Sequence, residues 1–192
     1  KLTKHFSPFI SANTTVAKNA KIGTGTIIQP NVFIGNHVSI GVNCMIHPNV
    51  TLYDNCNIGN NVTIHSGCIL GADAFYYKKR ATGYDKLISS GSVEIHDNVD
   101  IGASCTIDRG VTANTTIKKG TKLDNQVQVG HDTIIGENCL IAAQTGVAGC
   151  VVIENNVTIW GQVGTTSGIH IGEGAVILGQ TGVTKSVKGG ET

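Results

Sequence analysis

The sequence predicts an all-β fold, a parallel β-helix built from six-residue repeats, on three observations. Aromatic residues make up only 5% of the 192 residues and glycines number 25, which favours a core of thin repeated layers. A spacing of six between aliphatic residues fits neither a 3.6-residue helix nor an alternating strand. That spacing persists over ten consecutive units, at Val16, Ile22, Ile28, Ile34, Ile40, Ile46, Leu52, Ile58, Ile64 and Leu70.

Three such units make a coil of 18 residues, with the aliphatic side chains inside and short strands stacked about 4.8 Å apart. Residues 18 apart therefore become neighbours on successive coils. The repeat resumes at Ile95, slips by four residues before Val111, and is steady from Ile117 to Val183, which predicts about eight coils. Asparagines at one offset predict turns of positive φ: Asn19, Asn43, Asn49, Asn55 and Asn61.

The chain is predicted to be one β-helix over residues 13–187, with a loop extruded over residues 71–94. Residues 1–12 are expected to be a linker or the end of a preceding domain, including a short helix that ends at Pro8. Residues 188–192 are expected to begin a further extension, because the last coil of a solenoid is normally covered. Aromatic and basic residues crowd the loop, which favours packing against a second subunit, a wall of an active-site cleft, or both.

Composition excludes several classes of protein. The net charge of +1 argues against nucleic-acid binding, and no stretch is apolar over the length of a membrane-spanning helix. No signal peptide is visible. Five cysteines occupy an offset that valine fills elsewhere in the repeat, which predicts buried free thiols and a reducing cytoplasm. They are Cys44, Cys56, Cys68, Cys105 and Cys139.

The stretch Thr121–Cys150 combines an unbroken repeat with the most conspicuous reactive group, His131. His131 lies at an outward offset between Gly130 and Asp132, and a step of 18 residues places Gly149 beside it. A base next to a glycine leaves both a gap and an exposed backbone N–H. Acyl transfer needs these two parts, a base for the nucleophile and a donor for the oxyanion.

Four strings make a more specific comparison possible: GADAF (71–75), TIDRG (106–110), KLDNQVQVGH (122–131) and AGC (148–150). Together they resemble the UDP-3-O-(3-hydroxyacyl)glucosamine N-acyltransferases of lipid A synthesis, and the resemblance covers essentially the whole chain. It implies a left-handed coil and a cytoplasmic homotrimer. The family also has an N-terminal uridine-binding domain and C-terminal helices, and both are expected to be missing from this sequence. The string KLTKHFSPF is similar to the family's junction between the N-terminal domain and the β-helix.

The resemblance implies that His131 is the general base that takes a proton from the glucosamine 2-amino group. The acyl donor would be a thioester on the phosphopantetheine of acyl carrier protein, with no metal and no other cofactor. Gly149 would supply the oxyanion N–H. Asn125 and Gln128 would bring their amides to the same cleft and Asp124 would orient the histidine, although asparagine ladders that only support the structure compete with this interpretation.

Three further positions carry expectations from the resemblance. Phe75 in the loop is expected to contact substrate. Family members that select medium acyl chains have a methionine where Gly182 stands, so a donor longer than myristoyl is expected here. A second histidine of the family aligns near Gly168, and the nearest histidine is His170, so the role of that second histidine is open.

Three other functions share this fold prediction. A sugar acetyltransferase that uses acetyl-coenzyme A has the same fold and histidine base. A γ-type carbonic anhydrase would bind zinc through three histidines, but His131 has no histidine five residues on. A non-catalytic trimeric module is the third alternative.

Overall fold

The computed structural model of the chain describes residues 9–192, and the helix predicted before Pro8 lies outside them. The described residues form 27 strands and no helix. In chain order the strands are β1 (Thr15–Val16), β2 (Lys21–Ile22), β3 (Ile27–Ile28), β4 (Phe33–Ile34), β5 (Ser39–Ile40), β6 (Met45–Ile46), β7 (Thr51–Leu52), β8 (Asn57–Ile58), β9 (Thr63–Ile64), β10 (Ile69–Ala72), β11 (Tyr77–Arg80), β12 (Gly83–Lys86), β13 (Ser92–Ile95), β14 (Asp100–Ile101), β15 (Thr106–Asp108), β16 (Asn114–Ile117), β17 (Lys122–Leu123), β18 (Gln128–Val129), β19 (Ile134–Ile135), β20 (Leu140–Ile141), β21 (Gly146–Val147), β22 (Val152–Ile153), β23 (Thr158–Ile159), β24 (Gly164–Thr165), β25 (His170–Ile171), β26 (Val176–Ile177) and β27 (Gly182–Val183).

Three parallel sheets enclose one core, as the six-residue repeat predicts. The first face contains nine strands in the order β1-β4-β7-β10-β15-β18-β21-β24-β27. The second face contains eight, β2-β5-β8-β13-β16-β19-β22-β25, and the third face eight, β3-β6-β9-β14-β17-β20-β23-β26. Each strand pairs with the equivalent strand of the next coil, so nine strands on the first face correspond to slightly more coils than the eight expected.

The core follows from the register of these strands. Ile107 pairs with Val129, and Val129 pairs with Val147, so the repeat aliphatics of successive coils lie directly above one another. All three are fully buried or nearly so. The five cysteines predicted at the valine offset are free and buried, as expected. Because their thiols lie inside the prism, burial raises the pKa of Cys44 and Cys139.

The turns between strands place a left-handed residue at nearly every corner. Asn43, Asn49, Asn55 and Asn61 have φ between 55 and 67°, as predicted, whereas Asn19 is not among the left-handed residues. Asp132 and Cys150 take the same conformation, with φ of 55° and 59°. These two residues are 18 apart and therefore occupy the same corner of neighbouring coils.

The insertion at residues 71–94 is more regular than the predicted loop. It contains an antiparallel hairpin of β11 and β12, in which Arg80 pairs with Gly83 across the turn. Ion pairs between Arg80 and Asp85 and between Lys86 and Asp73 connect its strands and its base. The hairpin aromatics are largely exposed, so within the described residues this element projects from the prism without a covering layer.

The slip of the repeat lies between β15 and β16. Because of it, β13 pairs with β16 at a separation of 22 residues, Ser92 with Asn114, instead of the usual 18. Val111 does not take the place of a repeat aliphatic as predicted, since it is only half-buried, and Thr115 with Ile117 fills the core instead. The four extra residues bulge outward at the corner that carries His131. The carboxylate of Asp132, on the following coil, holds this bulge by accepting hydrogen bonds from its backbone N–H groups.

Candidate active site

His131 lies directly after β18, at the corner between the first and second faces. Its Nδ1 is 2.8 Å from Oδ2 of Asp132. Its ring packs edge-on against Tyr76 of the insertion, with ring centroids 5.5 Å apart. The side chain points outward, as its offset predicts, yet only 14% of it is exposed. Asp132 and Tyr76 therefore hold the imidazole ring in place, and a small part of it remains accessible to solvent.

Asp132 is the residue that orients His131, a role the resemblance gave to Asp124. Its carboxylate also accepts hydrogen bonds from the N–H groups of Val111 (2.9 Å) and Ala113 (3.1 Å), which anchors the four-residue bulge. Burial raises the pKa of Asp132, but the bonds from the Val111 N–H, the His131 ring and the Ala113 N–H outweigh it. The pKa of Asp132 therefore lies below its usual value.

An ionised Asp132 fixes the tautomer of the histidine. A carboxylate only accepts hydrogen bonds, so Nδ1 of His131 must carry the proton and Nε2 keeps its lone pair. Nε2 is the nitrogen that faces the neighbouring coil at Gly149. The side chain thus presents an unprotonated ring nitrogen to a defined backbone position.

Gly149 lies under the imidazole ring, as the 18-residue step predicts. A Cβ at this position would come within 2.6 Å of Nε2 of His131 and 2.8 Å of two ring carbons. Only glycine therefore admits the ring in its present place. Among the described residues the Gly149 N–H donates to no acceptor, although its C=O accepts from the Gly168 N–H at 3.1 Å. A backbone donor without a partner among the described residues thus lies beside the imidazole ring.

Gln128 reaches the same face as His131 but Asp124 and Asn125 do not. Gln128 points outward from β18, where its Nε2 donates to Asp108 at 3.1 Å and its Oε1 accepts from Thr106. Burial raises the pKa of Asp108, against the hydrogen bond from Gln128 and the charge of nearby His131. Asp108 is a candidate site residue that the spacing did not reveal.

Asp124 and Asn125 lie at a different corner, between the third and first faces. Both are exposed. The Asn125 Oδ1 accepts from the Ala103 N–H at 2.7 Å, and the Asp124 Oδ1 accepts from the Asn125 N–H at 2.7 Å. These contacts are those of a ladder that supports the turns, the competing interpretation of the LDNQ string. Asp124 does not contact His131, so its predicted orienting role is corrected.

A strip of three glycines continues the first face below Gln128. Gly146 pairs with Gln128, Gly164 with Gly146, and Gly182 with Gly164. A Cβ on any of the three would meet nothing within 4 Å, so the space above the strip is open. A ladder of side-chain amides borders it, with Gln144, Gln162 and Gln180 each bonded to the glutamine 18 residues earlier at 2.8–3.0 Å.

The insertion reaches the site through Tyr76 rather than Phe75. Phe75 is 84% exposed and contacts Tyr77, whereas Tyr76 packs against the His131 ring. The backbone of Tyr76 is held by a hydrogen bond from the Leu87 N–H at 3.0 Å. Phe75, Tyr76, Tyr77 and Tyr84 line a cavity of about 490 Å³ next to the site. The residue of the insertion that packs against His131 is thus Tyr76, which the sequence placed in the loop but did not single out.

His170 lies away from His131. It points outward from β25 on the second face, is half exposed, and its Nε2 is 3.2 Å from Glu154. The described residues offer one cluster of potential metal ligands, His131, Asp132 and Cys150, which contains a single histidine. That composition does not match the three histidines of a γ-type carbonic anhydrase.

Comparisons with known proteins agree with this description of the fold. The family model of the bacterial transferase hexapeptide (six repeats) matches residues 37–72 and 114–149. The UDP-3-O-acylglucosamine N-acyltransferase of Christiangramia forsetii is 54% identical over 80 residues, 41% of this chain and 24% of that protein. The enzyme of the same name from Rhizobium johnstonii is 51% identical over 79 residues, 41% of this chain and 22% of that protein.

A solved structure matches along almost the whole chain. The UDP-N-acetylglucosamine acyltransferase of Bacteroides fragilis superposes with a TM-score of 0.86 and 30% identity, over 93% of this chain and 68% of that one. The chain therefore belongs to the bacterial hexapeptide-repeat acyltransferases, and its fold is the left-handed parallel β-helix that the resemblance implies. Within that family, the relatives from Christiangramia forsetii and Rhizobium johnstonii are UDP-3-O-acylglucosamine N-acyltransferases, and the matched segments span about a quarter of their length. Residues 9–192 hold no helix that is long and apolar enough to cross a membrane.

Proposed function

We propose that the chain is the catalytic β-helix of an N-acyltransferase that moves a 3-hydroxyacyl chain from acyl carrier protein to the 2-amino group of UDP-3-O-acylglucosamine. The observation that carries the proposal is the arrangement at one corner of the prism. Asp132 holds Nδ1 of His131, Nε2 lies over Gly149, and the Gly149 N–H has no acceptor among the described residues. The base and the oxyanion donor of an acyl transfer are thus adjacent.

The reaction follows from these positions. Nε2 of His131 removes a proton from the amino group as the nitrogen attacks the thioester carbon, and the carbonyl oxygen becomes negative. The Gly149 N–H donates to that oxygen. When the intermediate collapses, the carbon–sulfur bond breaks, and the proton held on Nε2 passes to the phosphopantetheine thiolate. Asp132, ionised because its pKa is lowered, stabilises the imidazolium between the two steps.

Sequence identity favours an amino group as the acceptor. The N-acyltransferases of Christiangramia forsetii and Rhizobium johnstonii are 54% and 51% identical over matched segments of 80 and 79 residues, whereas the solved UDP-N-acetylglucosamine acyltransferase is 30% identical along its longer match. This higher identity favours the amino group of a 3-O-acylated sugar over a hydroxyl group as the acceptor.

Mass spectrometry of the product tests the proposal. The full-length protein, incubated with 3-hydroxyacyl carrier protein and UDP-3-O-acylglucosamine, is expected to give the N-acylated sugar nucleotide. UDP-N-acetylglucosamine as acceptor is expected to give no product above background. Release of free coenzyme A from acetyl-coenzyme A, with no turnover of acyl carrier protein, would instead support the sugar acetyltransferase.

The glycine strip supports a site for the acyl tail of the donor. Gly146, Gly164 and Gly182 lead away from His131 along the first face, and each leaves open space where a side chain would stand. We place the tail over this strip, with Gly182 at its far end. Gly164 and Gly182 are exposed on the single chain, so the neighbouring subunit of the homotrimer proposed below would cover the tail. Each methylene buried there contributes about 0.8 kcal/mol, so extra depth favours a longer donor by an order of magnitude or more.

A graded pair of substitutions tests the length of that site. Gly182→Met is expected to shift the preferred donor from chains longer than myristoyl to shorter ones, because the side chain fills the end of the strip. Gly164→Met lies one strand nearer His131, about 4.8 Å, and is expected to shorten the optimum by roughly four further methylenes. Neither position has a positive φ, so the backbone tolerates both changes.

Competition between donors of different length, measured by mass spectrometry, reads out both variants. Equal optima in wild type and Gly182→Met would remove Gly182 from the site. A larger shift for Gly182→Met than for Gly164→Met would contradict the direction in which the tail runs.

We propose a homotrimer, with the cleft at His131 completed by a neighbouring subunit. Apolar side chains stand exposed on the third face and its corner with the first, where Leu140, Trp160 and Leu178 are 46–56% exposed. Contact with a second copy of the chain would bury these side chains, and the loss of apolar surface exposed to water favours association. Sedimentation equilibrium of the full-length protein is expected to give three times the chain mass at micromolar concentration, and a monomer would contradict the shared cleft.

The free buried thiols support a reducing cytoplasm as the compartment.

A further inference from the structure

One exposed thiol adjoins the base and takes part in none of the steps of acyl transfer. Cys150 follows Gly149 and occupies the same left-handed turn position as Asp132, one coil away. Its N–H donates to the His131 C=O at 2.8 Å, which fixes the spacing of the two coils here. Its Sγ lies 4.0 Å from Nδ1 of His131. The other five cysteines point into the core, so this thiol is the one that solvent reaches.

The three side chains form a set of ligands for one metal ion. One donor atom from each of His131, Asp132 and Cys150 lies within 4.8 Å of the other two. Imidazole nitrogen, carboxylate oxygen and thiolate sulfur are the ligands of zinc sites, and three protein ligands leave a fourth position for water. Turn backbone holds two of the three residues in place, so the set is largely preformed.

The three ligand atoms reach the spacing of a zinc site by side-chain rotation. Tetrahedral zinc with its usual bond lengths places nitrogen about 3.6 Å from sulfur and about 3.4 Å from oxygen. Here Nδ1 is 4.0 Å from the sulfur and 2.8 Å from the oxygen. Side-chain rotations would have to close the first distance by about 0.4 Å and open the second by about 0.6 Å. They would also have to bring the sulfur and the oxygen, which lie within 4.8 Å of each other, to about 3.6 Å. The ion would sit on the Nδ1 side of the ring, opposite the nitrogen that faces Gly149.

We propose that His131, Asp132 and Cys150 bind Zn²⁺ as an inhibitory site. On binding, the Cys150 S–H bond breaks, the sulfur bonds to the metal and its proton passes to water. The proton on Nδ1 of His131 is displaced by the metal, and the ring takes a proton at Nε2 in its place. The Nε2–H tautomer has no lone pair with which to accept the proton of the amine. Occupancy of the site thus removes the base without touching the oxyanion donor.

Metal binding is tested without turnover. Equilibrium dialysis of the full-length protein against Zn²⁺ is expected to give one ion per chain, and Co²⁺ is expected to produce a thiolate-to-metal absorption band. Cys150→Ser is expected to abolish that band and to weaken Zn²⁺ binding by about 100-fold. His170→Ala, which alters an exposed histidine paired with Glu154, is the matched control and is expected to leave both unchanged. Equal Zn²⁺ binding by wild type and Cys150→Ser would overturn the site.

The inhibitory part rests on the proposed acyltransfer, and a second measurement separates the two. Zn²⁺ is expected to inhibit the wild type and a chelator to restore it, whereas Cys150→Ser is expected to keep its activity at the same Zn²⁺ concentration. Inhibition of both proteins alike would overturn the regulatory role even if the ion binds. A protein that binds one Zn²⁺ through Cys150 but transfers no acyl group would refute the proposed function and leave the metal site standing.

Discussion

Replacing His131 with alanine is expected to lower kcat by about 10²- to 10⁴-fold, the range for loss of a general base. The thermal transition is expected to stay close to that of the wild type, because the ring lies outside the core, against Tyr76 and Gly149. Steady-state kinetics with acyl carrier protein as donor and a melting curve check the two halves. Because the variant loses proton transfer rather than a contact that binds the sugar, KM for the sugar is expected to change little.

His170→Ala is the control for this substitution. His170 is exposed on the second face and paired with Glu154, and it does not contact His131. Its removal is expected to leave kcat within a few-fold of the wild type. The opposite pattern, a near-normal His131→Ala and an inactive His170→Ala, would move the base to His170 and restore the role that the resemblance left open.

The repeat made the fold predictable. A period of six fixes which residues point inward, and each coil repeats the same local rule, so register and core follow from counting. Ile107, Val129 and Val147 lie above one another in the structure because their spacing requires it. The same counting placed Gly149 beside His131. Where the structure is periodic, sequence alone therefore located the core and placed His131 next to Gly149.

The six-residue repeat did not predict the core residues correctly where its period breaks. Val111 looks like a repeat aliphatic, but Thr115 and Ile117 fill the core because the bulge adds four residues before β16. Asp132 is the reason that the bulge is stable, and it also orients the histidine. Its adjacency to His131 was visible in the sequence. Which carboxylate reaches Nδ1 depends on the side-chain direction at a left-handed turn, which spacing does not reveal.

The six-residue repeat could not predict the contacts that the insertion makes. The aromatic content of the loop predicted a wall of the cleft, and the structure shows that Tyr76 packs against the His131 ring. Which of four neighbouring aromatics faces the base depends on the fold of the hairpin, whose strands β11 and β12 have no repeat to count. Non-periodic contacts between an insertion and a corner of the prism need coordinates.

Replacing Gly149 with alanine is expected to lower kcat by about 10²- to 10³-fold while changing stability little. The new Cβ would lie 2.6 Å from Nε2 of His131, so the ring must swing aside. A side-chain ring moves at small cost in folding free energy, but a displacement of about 1 Å is sufficient for a 10²-fold loss in rate. Gly161→Ala is the matched control, a glycine at the equivalent turn position of another corner, whose nearest atom to the new Cβ is 3.3 Å away.

A double substitution shows whether the loss passes through the histidine. Alanine at position 149 keeps the backbone N–H, so the oxyanion donor is retained and only the ring is displaced. His131→Ala combined with Gly149→Ala is therefore expected to be no slower than His131→Ala alone, because the ring that the methyl group displaces is already absent. Kinetics of the four proteins in this cycle measure the coupling. If the two losses multiply, Gly149→Ala acts on something other than the base, and the close approach of Gly149 to Nε2 would no longer explain why glycine is required there.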